Sequence, residues 1–412
     1  MSTNQAAIRP APANVAATTF FPILFAASSV HLLNDTIQSI VPALYPVLKD
    51  SFSLTFSQIG FISLIINLTA AILQPLIGIF TDKRPIPRLL PIGILFTLAG
   101  VLVLSFSAYY WMILAAVMLI GVGSAIFHPE SARVAYVAGG ARKGLAQSIF
   151  QFGGNIGQAL APIMTAMLFV HTGQKGVVWF SLLLVVGFML QSYVARWYTK
   201  HLKAEKERKG TVQNHPFARS GLSKARVAVA VTVIMILVFS KYVYISAITS
   251  YYSFYAIEKF GVSTSQAQLI LFVFLVANVI GLLFGGMLAD KFSRRALIWF
   301  SILGTAPFSL ALPYANLALS VILIFFAGLI LASAFSIIMV YTNELLPGKV
   351  GLVSGIFFGL AFGLGGAGSA ILGNLADATS IVFVIQCCSY LPLLGLFTVF
   401  LPSDKKNKPL QA

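Results

Sequence analysis

Long apolar segments, separated by short polar stretches, make up most of this chain. A helix needs about 20 residues to cross about 30 Å of hydrocarbon, and twelve apolar runs of roughly this length are present. The runs are continuous and do not alternate with polar residues, which favours helices over the strands of a membrane barrel. The predicted spans are residues 20–47, 56–80, 89–107, 109–134, 145–170, 177–198, 227–256, 265–289, 296–315, 318–342, 352–375 and 381–402.

The composition also indicates a protein that faces lipid. Hydrophobic residues make up 58% of the 412 positions and charged residues only 9%, which is too few to cover a water-exposed globule. The two cysteines, Cys387 and Cys388, are adjacent in the last span, and we expect them to pack as small apolar groups without a disulfide or a metal. The sequence therefore predicts an all-α integral membrane protein with twelve transmembrane helices.

The positive charges predict the orientation of the chain. If both termini are cytoplasmic, the cytoplasmic loops and tails hold all but four of the 27 Lys and Arg residues. The exceptions are Lys49, Lys175 and Lys259 in the opposite loops and Lys241 inside a span. This is the positive-inside bias of membrane proteins, so the net charge of +16 indicates no nucleic-acid partner.

Two matching fragments, Gly78–Lys83 (Gly-Ile-Phe-Thr-Asp-Lys) and Gly286–Lys291 (Gly-Met-Leu-Ala-Asp-Lys), indicate an internal duplication. A second pair of fragments, which start at Gly144 and Gly351, has nearly the same offset. Two homologous six-helix halves with a site between them are typical of transporters that work by rocking one half against the other. The predicted organisation is a flexible cytoplasmic tail (1–19), a six-helix bundle (20–199), a cytoplasmic linker (200–226), a second six-helix bundle (227–402) and a cytoplasmic tail (403–412).

At these fragments the chain resembles the major facilitator superfamily, whose signature loop follows the second helix of each half. The first copy departs from the pattern at Pro85 and Pro87. A glycine at a helix end lets a neighbouring helix approach, and an aspartate there can accept hydrogen bonds from an adjoining helix N-terminus. We therefore expect gating residues in both loops and at the end of the tenth span, namely Gly78, Asp82, Lys83, Arg88, Gly286, Asp290, Arg294 and Glu344.

A closer resemblance, over nearly all of the chain, is to the fosmidomycin resistance protein group of bacterial efflux transporters. It rests on the motifs His31–Ser39, Phe127–Ala135, Gly144–Gln151 and Phe239–Tyr242. The resemblance implies a monomer in the bacterial inner membrane that exports small polar or anionic drugs, phosphonates such as fosmidomycin or fosfomycin. It also implies that the proton gradient drives export, without a cofactor.

Ionisable residues inside the predicted spans are candidates for function, because a charge near the bilayer centre is costly. Asp35 in the first span and Lys241 in the seventh lie at similar depths in equivalent helices. Asp35 is our leading candidate for the proton carrier, because the protonation of a buried carboxyl depends on its surroundings. The alternative is a static Asp35–Lys241 ion pair that holds the halves together.

His128, Glu130 and Arg133 lie together in the fourth span, where Pro129 is expected to bend the helix. His128 and Glu130 are reserve candidates for proton coupling, and the forked donors of Arg133 suit a phosphonate. The alternative is a Glu130–Arg133 salt bridge, since residues three apart are neighbours on a helix.

Polar stripes on the first, fifth and seventh spans predict the drug-binding surface. The alternative for the fifth-span stripe is hydrogen bonding between helices, and the alternative for the tyrosines near the end of the seventh span is an interfacial aromatic belt. The predicted substrate-binding residues are His31, Asn34, Gln38, Arg133, Gln147, Gln151, Asn155, Lys241 and Tyr244, and Gln158 extends the fifth-span stripe.

Three rival functions remain open at this stage. A proton symporter that imports a sugar or an organic anion would use the same fold and charges. A membrane-embedded enzyme would need a nucleophile with its base or a metal cluster, and the sequence offers neither a Cys/His ligand set nor a phosphate-binding Gly-x4-Gly-Lys-Ser/Thr loop. A receptor would leave the charges inside the spans unexplained.

Overall fold

The computed structural model describes residues 18–140, 142–208, 223–288, 292–346 and 350–402. Within these ranges the chain is helical and contains no strand. Residues 1–17, 209–222 and 403–412, which are most of the predicted tails and part of the predicted linker, lie outside the described residues.

The first half of the chain makes six passes. The first pass bends at Leu44 between α1 and α2, and the fifth continues through a π-helical turn, Thr165–Phe169. Gly173, which has a φ of 62°, and a 3-10 helix, Gly173–Trp179, separate the fifth pass from the sixth. The helices are α1 (Phe21–Ala43), α2 (Tyr45–Phe52), α3 (Phe56–Lys83), α4 (Leu89–Ser105), α5 (Tyr110–Ala138), α6 (Lys143–Met164), α7 (Val170–Thr172) and α8 (Phe180–Arg208).

The second half repeats this order. Its third pass is α11 followed by α12, its fourth is α13 followed by α14, and its last is α16 continued by a 3-10 helix, Leu391–Phe400. The helices are α9 (Lys224–Phe260), α10 (Thr264–Leu288), α11 (Arg294–Leu303), α12 (Ala306–Ala311), α13 (Leu317–Ala332), α14 (Phe335–Leu345), α15 (Val350–Ala378) and α16 (Ile381–Ser389).

Eight helical segments of the described chain are long and apolar enough to cross a membrane by length and composition, and one of them, 145–204, holds both the fifth and the sixth pass. Helix α1 is not among the eight. Its apolar sequence is interrupted by His31, Asn34 and Asp35, which are all buried. The first pass therefore directs a polar face into the protein, which only a functional or closely packed helix can do in lipid.

The two ends of the bundle can be distinguished by where the described chain begins and finishes. At one end, the hydroxyl of Thr19 donates to the carbonyl of Gly139 over 3.0 Å, and Tyr341 donates to the carbonyl of Pro402 over 2.7 Å. We call this the terminal end, and the end that contains the start of α3 and the end of α15 the far end. The sequence predicts that the terminal end is cytoplasmic.

The most extensive packing between the halves is that of α3 against α15. The two helices are antiparallel, because Phe56 lies beside the last turn of α15 whereas Ala71 lies beside Gly363 nearer its start. A second contact joins α10 to α6 and to the π-helical turn that follows α6, where the hydroxyl of Ser265 donates to the carbonyl of Ala166 over 3.1 Å at the far end.

Candidate functional site

Helix α1 packs its polar face against α6 at very short range. A Cβ on Gly153 or Gly157 would collide with a carbonyl oxygen of α1, and one on Gly154 would lie 2.5 Å from Nε2 of His31 and 2.9 Å from Oδ2 of Asp35. These glycines belong to the fifth-span motif, and their effect in the structure is close helix packing. They allow the polar side chains of α1 to reach α6.

The carboxylate of Asp35 is the centre of a polar cluster. Its Oδ1 lies 3.2 Å from Nε2 of His128 and accepts a hydrogen bond from Asn34 over 3.1 Å. Its Oδ2 lies 3.4 Å from Nε2 of His31 and accepts a hydrogen bond from Gln158 over 2.9 Å. We call His31, Asp35 and His128, with the two amides, the Asp35 cluster. Its described partners on α1, α5 and α6 all belong to the first half.

The other ring nitrogen of each histidine faces a backbone carbonyl. Nδ1 of His31 lies 2.8 Å from the carbonyl oxygen of Phe150. The His31 ring also stacks on the Phe150 ring, with the two ring centroids 4.1 Å apart. Nδ1 of His128 lies 2.9 Å from the carbonyl oxygen of Ser124. A carbonyl oxygen only accepts hydrogen bonds, so these contacts assign a proton to both Nδ1 atoms.

The cluster extends toward the second half through His128. The hydroxyl of Ser124 donates to Gln38 over 3.1 Å and lies 3.1 Å from Nδ1 of His128. The His128 ring also lies 6.4 Å from the ring of Phe362 on α15. The side chain of His128 is 20% exposed, against 3% for His31, so His128 is the more accessible histidine of the cluster.

His31, Asp35 and His128 also have the spacing of a metal site. The ligand atoms of the three side chains lie within 4.8 Å of one another, close enough for one metal ion to bind all three. We predicted no metal from the sequence, and that absence stays a prediction.

Glu130 and Arg133 form a separate group on α5, nearer the terminal end. Nη1 of Arg133 donates to Oε1 of the fully buried Glu130 over 2.8 Å. Nη2 donates to the hydroxyl of Thr81 on α3 over 3.1 Å and lies 3.5 Å from the carbonyl oxygen of Gly78. This is the geometry of the salt bridge that the sequence left open, and it ties α5 to the end of α3.

The remaining predicted binding residues are not gathered at one point. Gln147 donates to the carbonyl of Ala132 over 2.9 Å, and Asn155 donates to the carbonyl of Gln151 within α6. Lys241 and Tyr244 are buried on α9 in the second half. The structure thus brings His31, Asn34, Gln38 and Asp35 together with His128, while the other candidates lie on separate contacts.

Those predicted gating residues that the structure describes lie at or near helix ends. Asp82 and Lys83 are the last two residues of α3, Arg88 precedes α4, and Arg294 begins α11. Gly286 and Glu344 lie in the last turns of α10 and α14. Asp290 lies outside the described residues.

Sequence reasoning missed a contact between the halves at the far end. Asp377, near the end of α15, accepts hydrogen bonds from the backbone N–H groups of Phe56 and Ser57. A signal was present, because Gly373–Asp377 (Gly-Asn-Leu-Ala-Asp) has the same Gly-x3-Asp spacing as the two signature loops.

Comparison with known proteins agrees with this architecture. The model of the Major Facilitator Superfamily matches twice, over residues 24–263 and 231–412. The fosmidomycin resistance protein of Escherichia coli (strain K12) is 49% identical over 390 residues, 94% of this chain and 95% of that protein. The uncharacterized MFS-type transporter YfnC of Bacillus subtilis (strain 168) is 42% identical over 389 residues, 94% of this chain and 95% of that protein.

The solved structure of a D-xylose-proton symporter superposes with a TM-score of 0.69 and covers 93% of this chain and 98% of its own. The two sequences are only 19% identical, so this likeness concerns the fold. The duplicated match, the twelve helical passes and the two relatives lead to one conclusion: the chain belongs to the major facilitator superfamily and is a multi-pass membrane transporter.

Proposed function

We propose that the protein is a proton-coupled antiporter that exports small polar antibiotics, phosphonates such as fosmidomycin or fosfomycin, across the bacterial inner membrane. The 49% identity to a fosmidomycin resistance protein supports the substrate class. The observation that carries the proton coupling is the Asp35 cluster.

The cluster has a proton requirement that follows from its hydrogen bonds. Both Nδ1 atoms carry protons, so in a neutral imidazole the Nε2 atom of His31 or His128 is an acceptor. The oxygens of an ionised Asp35 are also acceptors. Each of the two Nε2–carboxylate contacts, 3.2 and 3.4 Å long, therefore needs a proton between its atoms.

Two shared protons satisfy the cluster, whether they belong to the two imidazoles or to one imidazole and the carboxyl group. When one proton leaves, one contact brings two lone pairs together in a buried site, which is unfavourable. His128 is the ring that can move or accept a new donor, since it is the more exposed. Proton loss at the cluster therefore changes what His128 can bind.

Competition between proton and drug follows from the same chemistry. A hydrogen-bond donor of the drug can replace the lost proton at His128, whereas the fully protonated cluster offers it no acceptor. Lys241 on α9 would supply a cation for the phosphonate, while Arg133 binds Glu130 and Thr81. Export follows if the drug enters from the cytoplasm and a proton from outside replaces it.

The test is a flux measurement on purified protein in vesicles with a defined pH gradient. Adding fosmidomycin or fosfomycin should move protons down the gradient in the wild type and not in Asp35→Asn. His171→Asn, which changes an exposed histidine at the far end, is the matched control and should behave like the wild type. A missing flux with both drugs would refute the substrate class.

The direction of transport needs a second assay. Energised cells that make the protein should contain less drug than cells that make Asp35→Asn. If they accumulate it instead, the protein is a symporter and the export proposal fails.

A further inference from the structure

Some of the hydrogen-bond acceptors for the N–H groups at the start of α3 come from the other half of the protein. The first four N–H groups of an α-helix have no partner within the helix. Here, Thr55 and Gln58 form a capping box, in which Oγ1 of Thr55 accepts from the Gln58 N–H over 3.2 Å and Oε1 of Gln58 accepts from the Thr55 N–H over 2.9 Å. The N–H groups of Phe56 and Ser57 remain for another partner.

Asp377 of α15 is that partner. Its Oδ1 accepts from the N–H of Phe56 over 2.8 Å, and its Oδ2 accepts from the N–H of Ser57 over 2.7 Å and also from the Ser57 hydroxyl. A carboxylate at a helix N-terminus is also favoured by the helix dipole. All four N–H groups are thus satisfied, two by α3 itself and two by the second half.

Two glycines let the backbones approach closely enough for these bonds. A Cβ on Gly373 would collide with the carbonyl oxygen of Phe56, and one on Gly60 would lie 2.6 Å from the carbonyl oxygen of Ser369. Farther along the same helix pair the clearance increases: an added Cβ on Gly366 would lie 2.8 Å from Cβ of Asn67, and those on Gly359 and Gly363 would have clearances of 3.5 Å and 3.8 Å. The tightest described contact between α3 and α15 is therefore at the far end, around Asp377.

We propose that Asp377 is a gating residue that selectively stabilises the state in which the far end is closed. This inference rests on the proposed alternating access. When the far end opens, α3 and α15 must separate there, and the N–H groups of Phe56 and Ser57 must exchange the carboxylate for water. A contact made in one state and absent from the other shifts the population between them.

Distances between spin labels across the far end measure this shift directly. We would label Ser51→Cys in the first half and Thr379→Cys in the second, both exposed, after replacing Cys387 and Cys388 by Ser. In Asp377→Ala the ratio of open to closed protein should rise about five- to tenfold, the effect of losing a good helix cap. Asp377→Asn, which keeps one acceptor and the side-chain size, should shift the ratio less.

Two further variants separate the gate from a general loss of stability. Ser57→Asp adds a negative charge at the helix start, which favours α3 itself but repels Asp377, so this variant should also open the far end. Asp50→Asn removes an exposed carboxylate from α2 at the same end and should leave the distances unchanged. Unchanged distance distributions in both Asp377→Ala and Ser57→Asp would overturn the proposal.

The same vesicles separate this proposal from the proposed transport activity. If wild-type protein moves no protons on drug addition but the labels still respond to Asp377→Ala, the activity is wrong and the gate stands. If drug-dependent flux is present and the labels do not respond, the gate is wrong and the activity stands.

Discussion

Nε2 of His128 on α5 lies 3.2 Å from Oδ1 of Asp35 on α1. A titratable ring of the fourth pass thus contacts the carboxylate of the first. The fourth-span motif and the first-span motif therefore act at one point.

Asp35→Asn should abolish pH-driven export while the protein remains folded. The amide keeps the size of the side chain, but it cannot take up or release a proton. Drug-dependent proton flux should fall to the level of empty vesicles, and the thermal unfolding midpoint in detergent should fall by only a few degrees. Retained full flux would exclude Asp35 as an obligatory carrier.

Replacing the two histidines should have different consequences. His31 is 3% exposed, and its ring both stacks on Phe150 and donates to the carbonyl of Phe150. His31→Gln should therefore lower the free energy of unfolding by about 1–3 kcal/mol as well as impair coupling. His128→Gln, at a more exposed position, should impair coupling with a smaller effect on stability. Equal losses of stability would contradict this assignment.

Gly154→Ala should disturb the Asp35 cluster without introducing any charge. Its Cβ would lie 2.5 Å from Nε2 of His31 and 2.9 Å from Oδ2 of Asp35, closer than atoms can approach without movement. Gly187→Ala is the matched control, because its Cβ would make an ordinary 3.5 Å contact with Leu33 on the same helix α1. Flux should fall in the first variant and persist in the second, and equal flux in both would contradict the prediction.

Glu130→Gln should destabilise the protein by roughly 3 kcal/mol, because it removes the charge that opposes a largely buried Arg133. Glu130 is fully buried and Arg133 is 18% exposed. Combining Glu130→Gln with Arg133→Gln should restore much of the lost stability, as a double-mutant cycle of unfolding free energies would reveal. Strictly additive losses would mean that the two side chains act independently.

The gate at Asp377 should not respond to pH in the neutral range. Burial opposes ionisation, but the hydrogen bonds from the Ser57 hydroxyl and from the Ser57 and Phe56 N–H groups outweigh it and hold the pKa of this carboxyl below its ordinary value of 3.8. A lowered pKa means that the charged contact is fully present above the ordinary pKa and is lost only as the pH falls through the lowered one.

Between about pH 5.5 and 8, the flux of Asp377→Asn should therefore follow the same pH profile as the wild type, at a different overall rate. A changed profile in that range would give Asp377 a role in proton coupling.

The passes follow from the length of the apolar runs, and the polar face of α1 follows from the helical spacing of its polar residues, so the sequence predicts both. It could not predict the partners of Asp35. The repeat places Asp35 and Lys241 at similar depths, but depth carries no information on which side of a helix faces which neighbour. The bonds from Gln158 and His128 depend on the rotation of α5 and α6 about their axes. The glycines of α6 set how closely α1 and α6 approach, and the apolar pattern of the sequence does not encode that rotation.

Asp377 was missed for a different physical reason. The Gly-x3-Asp spacing was recognised only where a basic residue followed it, whereas Ala378 follows Asp377. A contact of this kind needs only a small residue and an acceptor beside a helix N-terminus, and Gly373 and Asp377 supply both. A motif defined by that requirement would have included this third copy.

The described partners of Asp35 on α1, α5 and α6 all belong to the first half, like Asp35 itself, whereas Asp377 of the second half is bonded to Phe56 and Ser57 of the first. In the proposed alternating access, rocking one half against the other would break the contacts of Asp377 and leave those of Asp35 intact. The proton-binding site would then keep its geometry while the first half moves as a unit. The energy difference between the two facing states would be set at the contact between α3 and α15. Drug specificity and cycling speed could then be altered by separate mutations in one transporter.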